Sequence, residues 1–198
     1  MNDDIKNFTD WDTYYKDNKV EEMPWYSKEL DEDLKKELER KEITKGSILD
    51  IGTGSGTQAV QLADMGFEVT AMDISPIAIE NAGKLSKKVE FVQDDILNTK
   101  ITKKFDYIFD RGCFHILETG DRIKYVKAVK ELLNDNGTIF LKVFSSKQKG
   151  NLGPSRFTPE KLWTIFGKEF EVLQVRSTVY QGTEAEDPFA LFAVLKKR

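Results

Sequence analysis

Ser47-Ile-Leu-Asp-Ile-Gly-Thr-Gly-Ser-Gly56 decides the fold of this 198-residue chain. Ile48, Leu49 and Ile51 form a short apolar run that leads directly into Gly52, Gly54 and Gly56. A buried strand, a glycine-rich turn and then a helix is the layout with which α/β sheets hold nucleotide-like ligands. Glycine lets the main chain press against a ligand with no Cβ in between. The spacing narrows the class. A dinucleotide fingerprint would need glycine where Thr57 stands, and a phosphate loop needs a Gly-Lys-Ser/Thr that is missing. No lysine or arginine lies between Asp50 and Phe67, so nothing in the loop neutralises a pyrophosphate.

Outward from the loop, strand and helix are expected to alternate without interruption. Thr57 to Met65 reads as a helix closed by Gly66. Glu68 to Met72 is a strand finishing in Asp73, and Ser75-Pro76 opens a helix with cap and proline in the favoured order. Val89 to Gln93 is a strand ending in Asp94-Asp95, and Phe105 to Phe109 another ending in Asp110. Asp121 to Leu133 is helical, with Ile123, Val126, Val129, Leu132 and Leu133 as its apolar stripe. Asn136-Gly137 turns into a strand over Thr138 to Phe144, and Thr158-Pro159-Glu160 caps a helix through Phe166. Phe170 to Tyr180 and Phe189 to Leu195 follow with no helix between them and pair as a hairpin at the sheet edge. The pattern predicts an α/β fold with a mostly parallel sheet covered on both faces and an antiparallel last strand.

Residues 1–45 form a helical N-terminal extension before a ligand-binding domain over 46–198, the two making one domain overall. The extension is polar but carries Phe8, Trp11, Tyr14, Tyr15, Trp25 and Tyr26. Asp10 is placed to cap a helix over Trp11 to Asp17, and residues 27–40 read as a second helix with Leu30, Leu34 and Leu38 on one face. Its aromatics need burial, either against the sheet or as a lid over the glycine loop. A net charge of −4 argues against a field-driven grip on nucleic acid. Cys113 is the one cysteine, which excludes an intrachain disulfide and a cysteine zinc site, and no metal is expected. No apolar run approaches a membrane span and the first residues are polar, so a cytoplasmic protein is expected.

Asp50-Ile-Gly-Thr-Gly-Ser-Gly56 resembles the first motif of class I S-adenosylmethionine-dependent methyltransferases. The resemblance implies a Rossmann-like three-layer sandwich on a seven-stranded sheet, with S-adenosyl-L-methionine as cofactor. Ligands of open parallel sheets bind beyond the carboxyl ends of the strands, so Asp50, Asp73, Asp95 and Asp110 should converge on one crevice. Gly52, Thr53, Gly54, Ser55 and Gly56 would form the loop, and Asp50 would act through it or on the cofactor's ammonium. Asp73 lies 23 residues after Asp50, near the offset of a ribose-binding acid, with Ile74 beside it. The resemblance puts Asp95, with Asp94 second, on the adenine amino group and Ile96 close to the ring. Each acid has a plainer alternative, a helix cap for Asp73 and a solvated loop pair for Asp94 and Asp95.

Asp110-Arg-Gly-Cys-Phe-His115, with Met23-Pro-Trp-Tyr26 and Gly153-Pro-Ser-Arg-Phe-Thr158, resembles the branch that includes thiopurine and tellurite-type methyltransferases. Those enzymes methylate soft sulfur, selenium or tellurium nucleophiles. The Asn/Asp-Pro-Pro-Tyr/Phe loop of amino-group methyltransferases is absent after Phe109. Methyl transfer to a small-molecule acceptor is therefore expected. A protein substrate, a nicotinamide oxidoreductase and a non-catalytic cofactor-binding protein stay open. His115 is the candidate general base. Cys113 reads better as a small buried hydrophobe than as a nucleophile. Arg111 and Arg156 each either hold an anionic substrate or pair with an acid. Trp25 is a candidate to face the sulfonium through its π system.

Overall fold

β1 (Ser47–Ile51) is buried from Ile48 onward because it takes a neighbour on each side, β2 (Glu68–Asp73) and β4 (Phe105–Arg111), both parallel to it. In the computed structural model, which describes residues 10–150 and 153–198, these strands centre a seven-stranded sheet. β3 (Val89–Gln93), β5 (Leu133–Phe144), β6 (Phe170–Val179) and β7 (Phe189–Lys197) complete it in the order β3-β2-β1-β4-β5-β7-β6. β7 runs antiparallel between β5 and β6, so the reversed last strand is internal and β6 is the edge. The sequences explain the order. Ala190 to Leu195 is a continuous apolar run buried on both faces, whereas β6 alternates Phe170 and Val172 with Glu171 and Leu173.

Alternate residues of β1 feed two cores. On one face, Ile48, Phe109 and Phe140 pack under Leu34 and Leu38 of α2 (Glu32–Arg40) and Leu62 of α3 (Thr57–Asp64). On the other, Leu49, Ile108 and Leu141 pack under Val126 and Val129 of α5 (Arg122–Leu132) and Leu162 and Phe166 of α6 (Pro159–Phe166). Each fully buried leucine contributes about 1.5–3 kcal/mol, enough for Leu34 and Leu38 to hold α2 on the sheet. A third, smaller cluster joins Tyr15 of α1 (Trp11–Asp17), Met23 and Ala78 of α4 (Pro76–Ala82). The caps are local. Asp10 accepts the Thr13 amide (3.1 Å), Ser75 that of Ala78 (3.1 Å) and Thr158 that of Lys161 (3.2 Å). Phe8 lies outside the described residues.

Four expectations shift. α2 begins at Glu32 rather than residue 27, because Asp31 caps it by accepting the Asp33 (3.0 Å) and Leu34 (3.3 Å) amides. Leu30 is buried all the same, from the segment before the helix. Ile123 faces solvent, and Tyr125 takes its place under α5. Alternation breaks between β3 and β4. There Asp94 and Asp95 accept the Lys100 and Leu97 amides (both 2.9 Å), leaving only a 3₁₀ turn over Ile96–Asn98. β5 starts at Leu133, ahead of the Asn136-Gly137 turn, and the register slips between Phe105 and Tyr107. Among the described residues, no helix is long and apolar enough to cross a membrane.

Candidate active site

The carboxyl ends of the parallel strands open into a cavity of about 290 Å³. Gly52, Asp73, Ile74, Asp94, Asp95 and Ile96 line one end of it. Trp25, Arg111 and His115 also line it, together with Phe144, Tyr180 and Glu184.

Glycine is required at the loop. Gly52 has φ +68°, and a Cβ there would fall 2.9 Å from that of Cys113. Gly56, at φ +75°, starts α3 where a Cβ would meet that of Ala82 at 2.6 Å. The Gly54 amide donates to Asp73 Oδ2 (2.9 Å) and the Ser75 amide to Oδ1 (3.0 Å). Burial raises the Asp73 carboxyl pKa, with these amides pulling against it. Thr53 Oγ1 donates to Asp50 Oδ2 (2.6 Å), and Ser55 Oγ sits 3.2 Å from Thr57 Oγ1. Burial brings Asp50 to about 7 despite the Thr53 bond. Asp50, Thr53, Gly54, Ser55 and Gly56 thus support the cavity from behind Gly52 and Asp73 rather than lining it.

Asp110 corrects its expected place in the crevice. It is fully buried beneath the loop, where Oδ1 accepts the Gly112 (3.0 Å) and Cys113 (2.9 Å) amides. Its Oδ2 accepts the Phe114 amide (3.0 Å) and the Tyr125 hydroxyl (2.6 Å). Burial pushes its pKa up to about 6. Its work is to fold residues 111–116 back over β4.

His115 stands differently from a general base. The Phe144 amide donates to its Nδ1 (3.2 Å), so Nε2 carries the proton. That nitrogen lies 3.1 Å from where a Gly112 Cβ would be, beside another lining residue. Burial, and then the charge of Arg111, lower the imidazole to about 3. The Cys113 thiol is pushed up by burial and stays protonated.

Arg111 resolves to the pairing alternative. Its Nε donates to Asp31 Oδ2 (3.0 Å), Nη1 to the Trp25 carbonyl (2.8 Å) and Nη2 to the Gln181 carbonyl. Its guanidinium lies 4.5 Å from the Tyr180 ring centre. Arg156 is outside the cavity lining, with Nη2 donating to the Lys149 carbonyl (3.4 Å). Sequence reasoning missed the network behind Arg111. The fully buried Lys142 Nζ meets Asp31 Oδ2 (2.7 Å), Asp33 Oδ2 (2.7 Å) and Gln181 Oε1 (2.6 Å). Arg176 Nη1 and Thr178 Oγ1 also donate to Asp33. The available signal was a lysine inside the apolar strand Phe140-Leu-Lys-Val-Phe144, where an unpaired charge would be costly.

The residues suit the cofactor that the loop motif implies. Acids line the cavity on the glycine-loop side, the Gly52 main chain lines it with them, and the one guanidinium lining it among the described residues is bound within the chain. Such a site favours a sulfonium over a polyphosphate. Residues 48–137 match the family model described as a methyltransferase domain. An uncharacterized methyltransferase of Schizosaccharomyces pombe is 32% identical over 108 residues, which cover 52% of this chain and 74% of that protein. EEF1A lysine methyltransferase 2 of Homo sapiens is 29% identical over 164 residues, covering 76% of this chain and 65% of its own. The structure of a SAM-dependent methyltransferase from Anabaena variabilis shares the fold with a TM-score of 0.77 at 22% identity, over 95% of this chain and 93% of that one. Loop, sheet order and relatives agree: the chain belongs to the class I S-adenosylmethionine-dependent methyltransferases.

Proposed function

We propose that the chain methylates a small, soft nucleophile of the thiol type, and does so by alignment rather than by acid–base chemistry. The observation that carries this is His115, whose Nδ1 is taken by the Phe144 amide and whose Nε2 is therefore a donor. A donor can hold a sulfur lone pair but cannot take its proton. Burial likewise keeps Cys113 and Tyr180 protonated. A thiol with a pKa of about 8.5 already supplies some thiolate near neutral pH and needs no base. Bound at the glycine loop, S-adenosylmethionine supplies an electrophilic methyl on a sulfonium.

The chain's own groups orient the two partners. Asp73 has two acceptor positions left after the Gly54 and Ser75 amides, which suits a ribose diol. Ile96 and the Asp94-Asp95 pair form the adenine wall. Trp25 offers a π face to positive charge. Apolar lining from Leu117, Phe144, Pro154 and Pro188 excludes water. Residues 10–45 act as a lid, a role supported by Tyr15, whose hydroxyl packs on Gly54, and by the Ser75 hydroxyl donating to Asp12. We place the reaction in the cytoplasm, on the strength of the single thiol Cys113, which cell fractionation would test.

The test is S-adenosylhomocysteine formation on a panel of thiols, selenite, tellurite, amines, phenols and a lysine peptide. Turnover on sulfur or selenium compounds alone is expected. A second reading, methylation of a protein lysine, is favoured by the 29% identity to the human lysine methyltransferase. Turnover on the peptide alone would establish it and overturn the first.

A further inference from the structure

Among the described residues, four carboxylates line the cavity, those of Asp73, Asp94, Asp95 and Glu184. Three are already engaged within the chain. Asp73 holds the Gly54 and Ser75 amides; Asp94 holds those of Asp95 (2.9 Å) and Lys100 (2.9 Å) and the Thr99 hydroxyl (2.6 Å). Asp95 holds the Leu97 amide (2.9 Å) and the Asn98 side chain (3.1 Å). Glu184 makes no hydrogen bond or ion pair among the described residues. The lining cation, Arg111, is committed through Nε, Nη1 and Nη2 to Asp31, Trp25 and Gln181. Glu184 is therefore the one of these four carboxylates with no partner among the described residues.

Its position is built. On one side of Glu184, the Thr183 amide donates to the Pro24 carbonyl (3.1 Å) and the Thr183 hydroxyl to the Met23 carbonyl (3.1 Å). Gly182 lies so close to the Pro24 carbonyl that a Cβ there would come within 1.9 Å. These bonds tie the β6–β7 connection to the segment that carries Trp25. Glu184 is thereby held half-buried on the wall shared with Tyr180 and with Trp25, whose ring can also face a cation.

We infer that Glu184 is a specificity-determining residue that selects an acceptor bearing a positive charge away from its reacting atom, an aminothiol being the simplest such molecule, and disfavours anionic acceptors. This rests on the thiol reading above. An ammonium at Glu184 gains a carboxylate that nothing else among the described residues engages, whereas a carboxylate there meets like charge.

The test compares cysteamine, 2-mercaptoethanol and 3-mercaptopropionate on wild type, Glu184→Gln and Glu184→Lys. Each thiol is compared with itself across variants, which cancels differences in thiol acidity. Glu184→Gln should lower kcat/KM for cysteamine about fivefold and leave 2-mercaptoethanol within about twofold. Glu184→Lys should lower it further for cysteamine and raise it for 3-mercaptopropionate. Equal ratios for all three thiols overturn the inference. If no thiol turns over, the thiol reading fails on its own. The charge preference is then read from tryptophan-fluorescence titration of the same compounds into the protein with S-adenosylhomocysteine. A Glu184→Gln effect confined to cysteamine upholds it, and equal binding overturns it.

Discussion

At the end of the cavity that we assign to the cofactor, Gly52, Asp73 and Asp94-Asp95 each stand where a strand stops. At the end that we assign to the acceptor, Trp25, His115, and Tyr180 with Glu184 come from three segments far apart in the chain. The bonds that shape the two ends differ in the same way. Asp73 reaches two residues on to Ser75, and Asp94 six residues on to Lys100. Arg111 reaches back 80 residues to Asp31, and Lys142 reaches back 111. The first end is thus preorganised by its own turns and by one link over 19 residues, from the Gly54 amide to Asp73. The second depends on a buried charge network in which Lys142 and Arg111 must both find Asp31. Buried pairs of this kind cost little while complete and much when one member is lost.

Removing the network's central cation should therefore have the largest effect. Lys142→Met leaves Asp31 and Asp33 undercompensated in the interior and should cost about 3–5 kcal/mol in urea denaturation. Any folded fraction should bind S-adenosylhomocysteine nearly as wild type does while losing acceptor affinity. Equal losses at both ends would break the contrast. The network also predicts an acid limb. Burial tends to raise Asp33, but Lys142, Thr178 and Arg176 outweigh it and hold its carboxyl below the usual value. Its contribution is present above the unfolded carboxylate pKa of about 3.9 and is lost as pH falls through the lower folded value.

Asp73→Ala comes next, and it touches the cofactor end alone. Loss of a charge-assisted pair of hydroxyl contacts should weaken S-adenosylhomocysteine binding by about 10- to 100-fold in calorimetry. An unchanged affinity would remove the ribose assignment.

A smaller effect is a pH slope of opposite sign to that of Asp33. Asp50 at about 7 and Asp110 at about 6 lie above their unfolded values, so the native state holds the extra protons. Their contribution is full below about pH 4 and lost as pH rises through 6 to 7. Thermal unfolding followed across this window should show Tm falling, and Asp50→Asn should flatten the curve. A slope unaltered by Asp50→Asn would mean that Asp50 is ionised throughout.

The smallest effect concerns His115. With its imidazole at about 3, the kcat/KM profile should carry no limb near 6.5, only that of the acceptor thiol. His115→Gln should lower kcat/KM by less than about tenfold and leave the profile's shape unchanged. A limb near 6.5 that vanishes in this variant would restore the base role and blur the contrast between the ends.

Much of the fold was legible because it is encoded in short spans. Asp10, Ser75 and Thr158 cap the helices that their positions announced, and Val89 to Gln93 is a strand to the residue. Legibility failed where a side chain could bond in more than one direction. Asp31 reads as a residue inside a helix but caps it, and it also receives Arg111 and Lys142. Ile123 fits the apolar stripe of α5, yet Tyr125 is the residue buried there, with its hydroxyl on Asp110. Asp110 shares its strand-end position with Asp73 but turns under its loop, because three amides of residues 112–114 reach it first.

The amino-acid sequence by itself determined the alternation that builds the parallel sheet, the glycine loop and its spacing, and the acids that follow the first three strands. These depend on periodicity, backbone angles and neighbours a few residues away. Only the tertiary structure decided that β7 enters the sheet between β5 and β6, that Arg111 is a tie rather than a substrate anchor, and that His115 donates rather than accepts. It also left Glu184 as the one carboxylate of the cavity wall without a partner among the described residues. Each of those outcomes turns on which distant group reaches a charge or a ring nitrogen first, and once a buried group is paired it is no longer available for anything else.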